Sequence, residues 1–96
     1  MDIETLVKEK RDKILEITAR HGATRVRVFG STVRGKTKPG SDIDFLVELQ
    51  AGKSLLDIIA IKQDLEDLLS CEVDIVTEAA LSPYIKKEVL QQAVSL

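Results

Sequence analysis

The stretch Phe29–Leu49, FGSTVRGKTKPGSDIDFLVEL, joins a Gly-Ser pair to an apolar run through a basic, glycine-rich loop. Asp42 and Asp44 stand at the start of the apolar run and are separated by one isoleucine. Residues two apart on a strand point to the same face, with their Cα atoms about 6.6 Å apart. Aspartate is a poor strand former, and two neighbouring carboxylates repel each other. The pattern therefore indicates that chemistry, rather than folding, requires this pair of carboxylates.

The length and composition of the chain predict a single domain spanning residues 1–96, with an ordinary apolar fraction of 44% and a thin core. A formal net charge of −2 argues against binding of long nucleic acid, which favours a basic face. The lone Cys71 excludes an internal disulfide and fits the reducing cytoplasm. No stretch approaches the roughly 18–20 apolar residues of a membrane span, so we expect no membrane contact.

Periodicity predicts six elements in the order helix, strand, strand, helix, strand, helix. A glycine marks the end of the first helix, a serine the start of the second, and a proline the first turn of the last. The predicted elements are a helix from Ile3 to His21 that stops at Gly22, strands at Thr24–Phe29, Asp42–Leu49 and Glu72–Thr77, a helix from Ser54 to about Leu69, and a last helix with Pro83 in its first turn.

Alternation along the three strands predicts one apolar and one charged face of the sheet. The apolar set is Val26, Val28, Ile43, Phe45, Val47, Leu49, Val73 and Ile75. The charged set is Arg25, Arg27, Asp42, Asp44, Glu48, Glu72 and Asp74. Such a sheet is typical of antiparallel or mixed pairing, with one face buried and the other largely exposed. We therefore predict a two-layer α+β fold, a short mixed sheet with its helices on one face.

The carboxylates of Asp42, Asp44 and Asp74 form the first candidate site. Oxygen ligands select hard cations, above all Mg²⁺ or Mn²⁺, and no Cys/His cluster indicates zinc. The alternative is that Asp42 caps a turn while the other two are solvated strand residues.

A second candidate site is the turn at Gly30 and Ser31. Glycine lets the backbone approach a ligand closely, and amides at a helix start, together with a serine hydroxyl, suit a phosphate. Arg34 and Ser41 are further candidates for nucleotide binding, although Arg34 fits a solvated loop charge equally well. For Lys36 and Lys38 the solvated alternative is favoured. No G-K-[ST] follows in register, so this is not a Walker A loop.

The G-S pair, ten further residues, the D-I-D triplet and the later V-D-I around Asp74 together resemble the nucleotidyltransferase superfamily that includes DNA polymerase β. The form GSTVRG…SDIDFLVEL…VDIVTEAAL is similar to its smallest members, the minimal nucleotidyltransferases, over roughly Val26 to Ala80. The resemblance implies the polymerase β-like fold. It also implies in-line attack of a hydroxyl on the α-phosphorus of a nucleoside triphosphate, with loss of pyrophosphate.

The resemblance also assigns roles to individual residues. It implies that Asp42 and Asp44 hold two Mg²⁺ ions on the triphosphate and that Gly30 and Ser31 hold its phosphates. Asp74 would complete the metal site and help to deprotonate the attacking hydroxyl. This arrangement requires the first two strands to run antiparallel, so that the end of one meets the start of the next.

Relatives of this size are similar to antitoxins that act with HEPN-domain toxins and transfer AMP from ATP to a tyrosine of the toxin. The resemblance implies ATP as substrate and a HEPN-domain toxin as partner. A second hypothesis is an inert binding module that neutralises its partner by surface contact. A third is a transferase for a small molecule or an RNA end, against which the acidic balance and the lack of a substrate domain count.

The chain has three aromatic residues and therefore few rings with which to stack a nucleotide base. We therefore expect a partner protein to complete the nucleotide site. The apolar residues Leu81, Tyr84, Ile85 and Leu96 either form part of a contact patch or, the favoured alternative, pack the last helix onto the sheet.

Overall fold

The computed structural model describes residues 3–29 and 43–96 of the chain. Within these ranges the predicted elements appear in order, with the first helix divided in two and with a 3₁₀ turn and a last short strand added. They are α1 (Ile3–Glu9), α2 (Arg11–Arg20), β1 (Ala23–Phe29), β2 (Ile43–Leu49), α3 (Leu55–Leu69), β3 (Val73–Thr77), a 3₁₀ turn (Glu78–Ala80), α4 (Pro83–Gln92) and β4 (Val94–Ser95). The two-residue strand β4 was not predicted.

The first predicted helix is interrupted at Lys10, which separates α1 from α2. Its backbone lies at φ −99° and ψ 8°, away from the usual helical values. The N–H of Lys10 still donates to the carbonyl of Leu6 at 3.1 Å, and the N–H of Ile14 donates to the carbonyl of Lys10 at 2.9 Å. Helical hydrogen bonds therefore continue across the break, which explains why the apolar spacing indicated one helix.

Gly22 follows the end of α2, as predicted. Its φ of +85° lies in the region that favours glycine, and its N–H donates to the carbonyl of Ala19 at 3.0 Å. Its own carbonyl accepts the N–H of Gln50 at 2.9 Å. The turn after α2 is therefore tied to the end of β2.

The sheet has the strand order β3-β2-β1-β4. β1 runs antiparallel to both β2 and β4, whereas β2 and β3 are parallel. Parallel neighbours need a crossover connection, and α3 provides it. The mixed sheet and the antiparallel pairing of the first two strands are thus both confirmed.

The crossover helix α3 begins where the sequence predicted. Ser54 is the N-cap: its Oγ accepts the N–H of Leu56 at 3.2 Å, and Asp57 Oδ2 accepts the N–H of Ser54 at 2.8 Å. This reciprocal pair is a capping box, which satisfies two backbone donors at the helix start. The local sequence alone is sufficient to place this end of the helix.

One face of the sheet packs against α1, α2 and α3. Its buried cluster consists of Val7, Ile14, Val26, Ile43, Phe45, Val47, Ile61, Leu65, Leu69, Val73 and Ile75. Every strand residue in this cluster belongs to the predicted apolar face, so the alternation argument is confirmed for that side of the sheet.

The opposite face is not largely exposed, and this expectation was wrong. A second cluster buries Phe29, Leu46, Leu81 and Val89, with Val76, Ile85, Leu90 and Ala93 packed against it. Helix α4 therefore lies on the face opposite α1–α3. The alternation argument failed here because β2 is buried on both faces over Ile43–Val47. The α+β class with a short mixed sheet is confirmed, with α4 on the second face.

The same packing shows which residues of the predicted apolar patch are buried. Leu81 is 7% exposed, Ile85 packs against the second cluster and Leu96 packs against the first. Tyr84 is 94% exposed. The packing alternative is therefore correct for Leu81 and Ile85, which pack with the last helix in the second cluster. Leu96 lies beyond β4 and packs against the first cluster instead, and Tyr84 lies on the surface.

Candidate active site

Phe29, Asp44 and Asp74 occupy neighbouring register positions on β1, β2 and β3. Phe29 pairs with Asp44 across the antiparallel ladder, and Asp44 pairs with Asp74 across the parallel ladder. Paired residues on adjacent strands lie on the same face, and neighbouring strands are about 4.8 Å apart. The structure therefore brings Asp44 and Asp74 side by side; we call this pair the carboxylate row.

The two members of the carboxylate row differ in their surroundings. Asp44 is fully buried, at 0% exposure, whereas Asp74 is partly exposed. Asp44 lies on the face covered by the second cluster, next to Phe29 in the ladder and two residues before Leu46. The open setting predicted for Asp44 was therefore wrong. Asp74, on the edge strand β3, is the more accessible of the two carboxylates.

The connection between β1 and β2 begins and ends at this part of the sheet. β1 ends at Phe29, which pairs with Asp44, and β2 begins at Ile43. The remaining predicted site residues belong to this connection and lie outside the described residues: Gly30, Ser31, Arg34, Ser41 and Asp42. Their roles stay predictions.

The donor set of the carboxylate row fits a hard divalent cation. Carboxylate oxygens are the ligands that Mg²⁺ and Mn²⁺ prefer, and Mg²⁺ is usually held by one or two carboxylates together with substrate phosphates. Over residues 3–29 and 43–96, no group of three or more His, Cys, Asp or Glu side chains is arranged to hold a metal ion. Asp42, which precedes Ile43 in the chain and lies outside the described residues, is the other predicted ligand.

Glu66 is a neighbour of this site that the sequence did not single out. Its Oε2 accepts the N–H of Val73, the residue before Asp74, at 3.1 Å. From the sequence, Glu66 is expected to be an ordinary polar residue on the exposed side of α3, and no known motif has the spacing between Glu66 and Val73. Only the turn between α3 and β3 brings the two together.

No helix in the described part of the chain is both long and apolar enough to cross a membrane.

Paired carboxylates at the end of a mixed sheet, beside a connection that contains a Gly-Ser pair, define a class of protein suited to phosphoryl or nucleotidyl transfer.

Comparison with known proteins identifies the class. The Nucleotidyltransferase domain family matches residues 11–96. Protein adenylyltransferase MntA of Thermococcus cleftensis is 38% identical over 93 residues, which cover 97% of this chain and 91% of that protein. The chain therefore belongs to the nucleotidyltransferase family, which is a family of enzymes.

Solved structures agree with this assignment. A structure described as "putative minimal nucleotidyltransferase" has a TM-score of 0.78 and 47% identity, and the match covers 100% of this chain and 97% of that one. The tri-AMPylated Shewanella oneidensis HEPN toxin in complex with MNT antitoxin gives a TM-score of 0.69 at 20% identity, covering 92% of this chain and 69% of that one. At this identity the second likeness shows the fold alone.

Proposed function

We propose that this chain is a protein adenylyltransferase that transfers AMP from ATP to a tyrosine hydroxyl of a HEPN-type toxin, and so acts as its antitoxin. The observation that carries the proposal is the carboxylate row, in which Asp44 and Asp74 lie in register on adjacent parallel strands. The adenylyltransferase relative and the HEPN toxin complex support the choice of reaction and partner. We further propose that residues 1–96 work as one domain in the cytoplasm.

The proposed reaction is a single displacement at the α-phosphorus of ATP. The tyrosine oxygen forms a new P–O bond, the bond from the α-phosphorus to the oxygen bridging to the β-phosphate breaks, and pyrophosphate leaves. The hydroxyl proton passes to a carboxylate. Asp74 suits this role because it is the partly exposed member of the carboxylate row, where an acceptor from another protein can approach.

Asp44 and Asp74, together with the predicted ligand Asp42, would hold two Mg²⁺ ions, or Mn²⁺ in their place. When bound, the metal supplies charge neutralisation of the triphosphate and polarises the phosphoryl group. The chain's own residues hold the nucleotide: Gly30 and Ser31 are proposed to bind its phosphates, with Arg34 and Ser41 as further contacts. The burial of Asp44 keeps one carboxylate away from bulk water, which strengthens its interaction with a cation.

An inert antitoxin that neutralises its partner by contact alone remains the competing function. The pairing of Asp74 with Asp44 favours the enzyme, because a surface-contact module has no chemical need for two aligned carboxylates on one face. A transferase acting on a small molecule or an RNA end is the third candidate, and no observation on the described residues favours it.

The test uses the tagged chain purified from its native cells with its co-purifying partner. The complex is incubated with Mg-ATP labelled at either the α- or the γ-phosphate, and the intact mass of the partner is measured before and after. We expect α-label on the partner, a mass increase of one adenylyl group and release of pyrophosphate. Transfer of γ-label would identify a kinase. Neutralisation with no label from either ATP would establish the inert binding module.

A further inference from the structure

Glu66 contacts both ends of the short connection between α3 and β3. Its backbone carbonyl accepts the N–H of Ser70 at 2.8 Å and closes the last turn of the helix, where Ser70 takes φ 56° and ψ 37°. Its side-chain Oε2 accepts the N–H of Val73, the first residue of β3, at 3.1 Å. One residue therefore helps to determine both where the helix ends and where the strand begins.

The N–H of Val73 belongs to the peptide group that joins Glu72 to Val73, and this group is hydrogen-bonded on both sides. Its carbonyl oxygen, that of Glu72, accepts the N–H of Ile43 at 3.2 Å. Ile43 and Val73 are register partners and directly precede the two aspartates of the carboxylate row. Glu66 and the first residue of β2 therefore hold the same peptide group from opposite sides.

β3 is an edge strand, so water is an alternative partner for the outward N–H of Val73. The fold therefore does not depend on Glu66 to satisfy this donor. A carboxylate makes a shorter and stronger hydrogen bond than a neutral acceptor. Lys62 Nζ donates to the same Oε2 at 2.8 Å, and the side chains of Lys62 and Glu66 are each 28% exposed. Lys62 and Glu66 are one helical turn apart on α3, and their ion pair restrains the Glu66 side chain.

We propose that Glu66 is a positioning residue for nucleotidyl transfer: by holding the Glu72–Val73 peptide group, it sets the position of Asp74 relative to Asp44. This inference rests on the proposed function, because the separation of the two carboxylates matters to the rate only if both act on the bound nucleotide or its acceptor. Glu66 acts through Val73 and Asp74 and is not itself a catalytic residue.

The experiment compares Glu66→Ala with Glu66→Gln in the complex with the co-purified partner. Alanine removes the acceptor for the Val73 N–H. Glutamine retains an amide oxygen that accepts it but loses the charge that pairs with Lys62. Glu16→Ala is the matched control, because it removes another i,i+4 ion pair, that of Glu16 with Arg20 at 3.5 Å on α2.

For Glu66→Ala we expect kcat for AMP transfer to fall on the order of 10- to 100-fold, since small displacements of reacting groups cost up to about 100-fold. We expect KM for ATP to change by less than about twofold, because uniform substrate binding is retained. Glu66→Gln should recover most of kcat. Hydrogen exchange of the Val73 and Asp74 amides, followed by NMR on the chain alone, should be about tenfold faster in the alanine variant, as expected for loss of a charge-assisted hydrogen bond. Glu16→Ala should match the wild type in all three measurements.

Three results separate failure of this inference from failure of the proposed function. If the wild type transfers AMP, but Glu66→Ala leaves kcat or the Val73 amide exchange unchanged, the positioning role is wrong and the function stands. A Glu66→Gln variant as slow as Glu66→Ala also overturns it, because the hydrogen bond to Val73 would then not be the cause. If the wild type transfers no AMP at all, the proposed function fails, and the positioning role of Glu66 fails with it.

Discussion

The packing of α4 on the second face of the sheet makes a quantitative prediction for Val89→Ala. Val89 is fully buried among Phe29, Leu46 and Leu81. The substitution removes two buried methyl-sized groups, each contributing about 0.8 kcal/mol of transfer free energy. The cavity left behind adds to this loss, so we expect the free energy of unfolding to fall by about 2–3 kcal/mol. For a domain of this size, that corresponds to a fall in Tm of roughly 8–24 °C.

The assay is urea unfolding followed by circular dichroism, with Val94→Ala as the matched control. Val94 undergoes the same chemical change, but its side chain is 66% exposed on β4. We expect that variant to stay within about 0.5 kcal/mol of the wild type, as surface substitutions usually do. A loss of less than about 0.5 kcal/mol in Val89→Ala, or equal losses in the two variants, would refute the second core and with it the position of α4.

The remaining predictions concern the site and two local turns. Asp44→Asn and Asp74→Asn should each lower AMP transfer at least about 100-fold in the α-label assay, as loss of a preorganised charge does. The control Asp67→Asn, on the exposed side of α3, should leave the rate of transfer unchanged. Equal rates in all three variants would remove the carboxylate row from the mechanism. Ser54→Ala should cost about 1 kcal/mol in urea unfolding because it removes the N-cap of α3, and an unchanged midpoint would contradict the capping box. Gly22→Ala should cost about 1–2 kcal/mol because φ is +85°, with additional crowding against the Lys53 side chain, and wild-type stability would contradict that backbone conformation.

Helix α3 shows what local sequence is able to predict. A capping serine, an acidic residue three positions later and a broad apolar stripe lie within one continuous segment, and each signal acts over at most a few residues. β4 shows the opposite case. It has two residues, and its pairing is with β1, where Arg27 and Val28 face Ser95 and Val94. No period can be measured over two residues, so this strand depends on a contact that the sequence does not display.

The second face illustrates a different limit. Alternation assigned Asp44 correctly to the face opposite Phe45, but it treated that face as exposed because most residues on it are charged. Leu46 and Phe29 lie on the same face and are buried by α4. Whether a mixed row of apolar and charged residues is buried depends on which helix covers it. That is a tertiary choice, and the polarity of a single strand does not encode it.

The directions of the strands explain why the carboxylate row exists at all. Because β1 and β2 are antiparallel, the end of β1 meets the start of β2, and the predicted phosphate-binding pair follows β1 directly in the chain. Because β2 and β3 are parallel, the start of β3 meets the start of β2, so Asp74 lies beside Asp44. An antiparallel β3 in the same place would put its far end, near Thr77, at this position instead. The helical crossover through α3 is therefore what brings the second carboxylate to the first, and a hairpin between β2 and β3 would separate them.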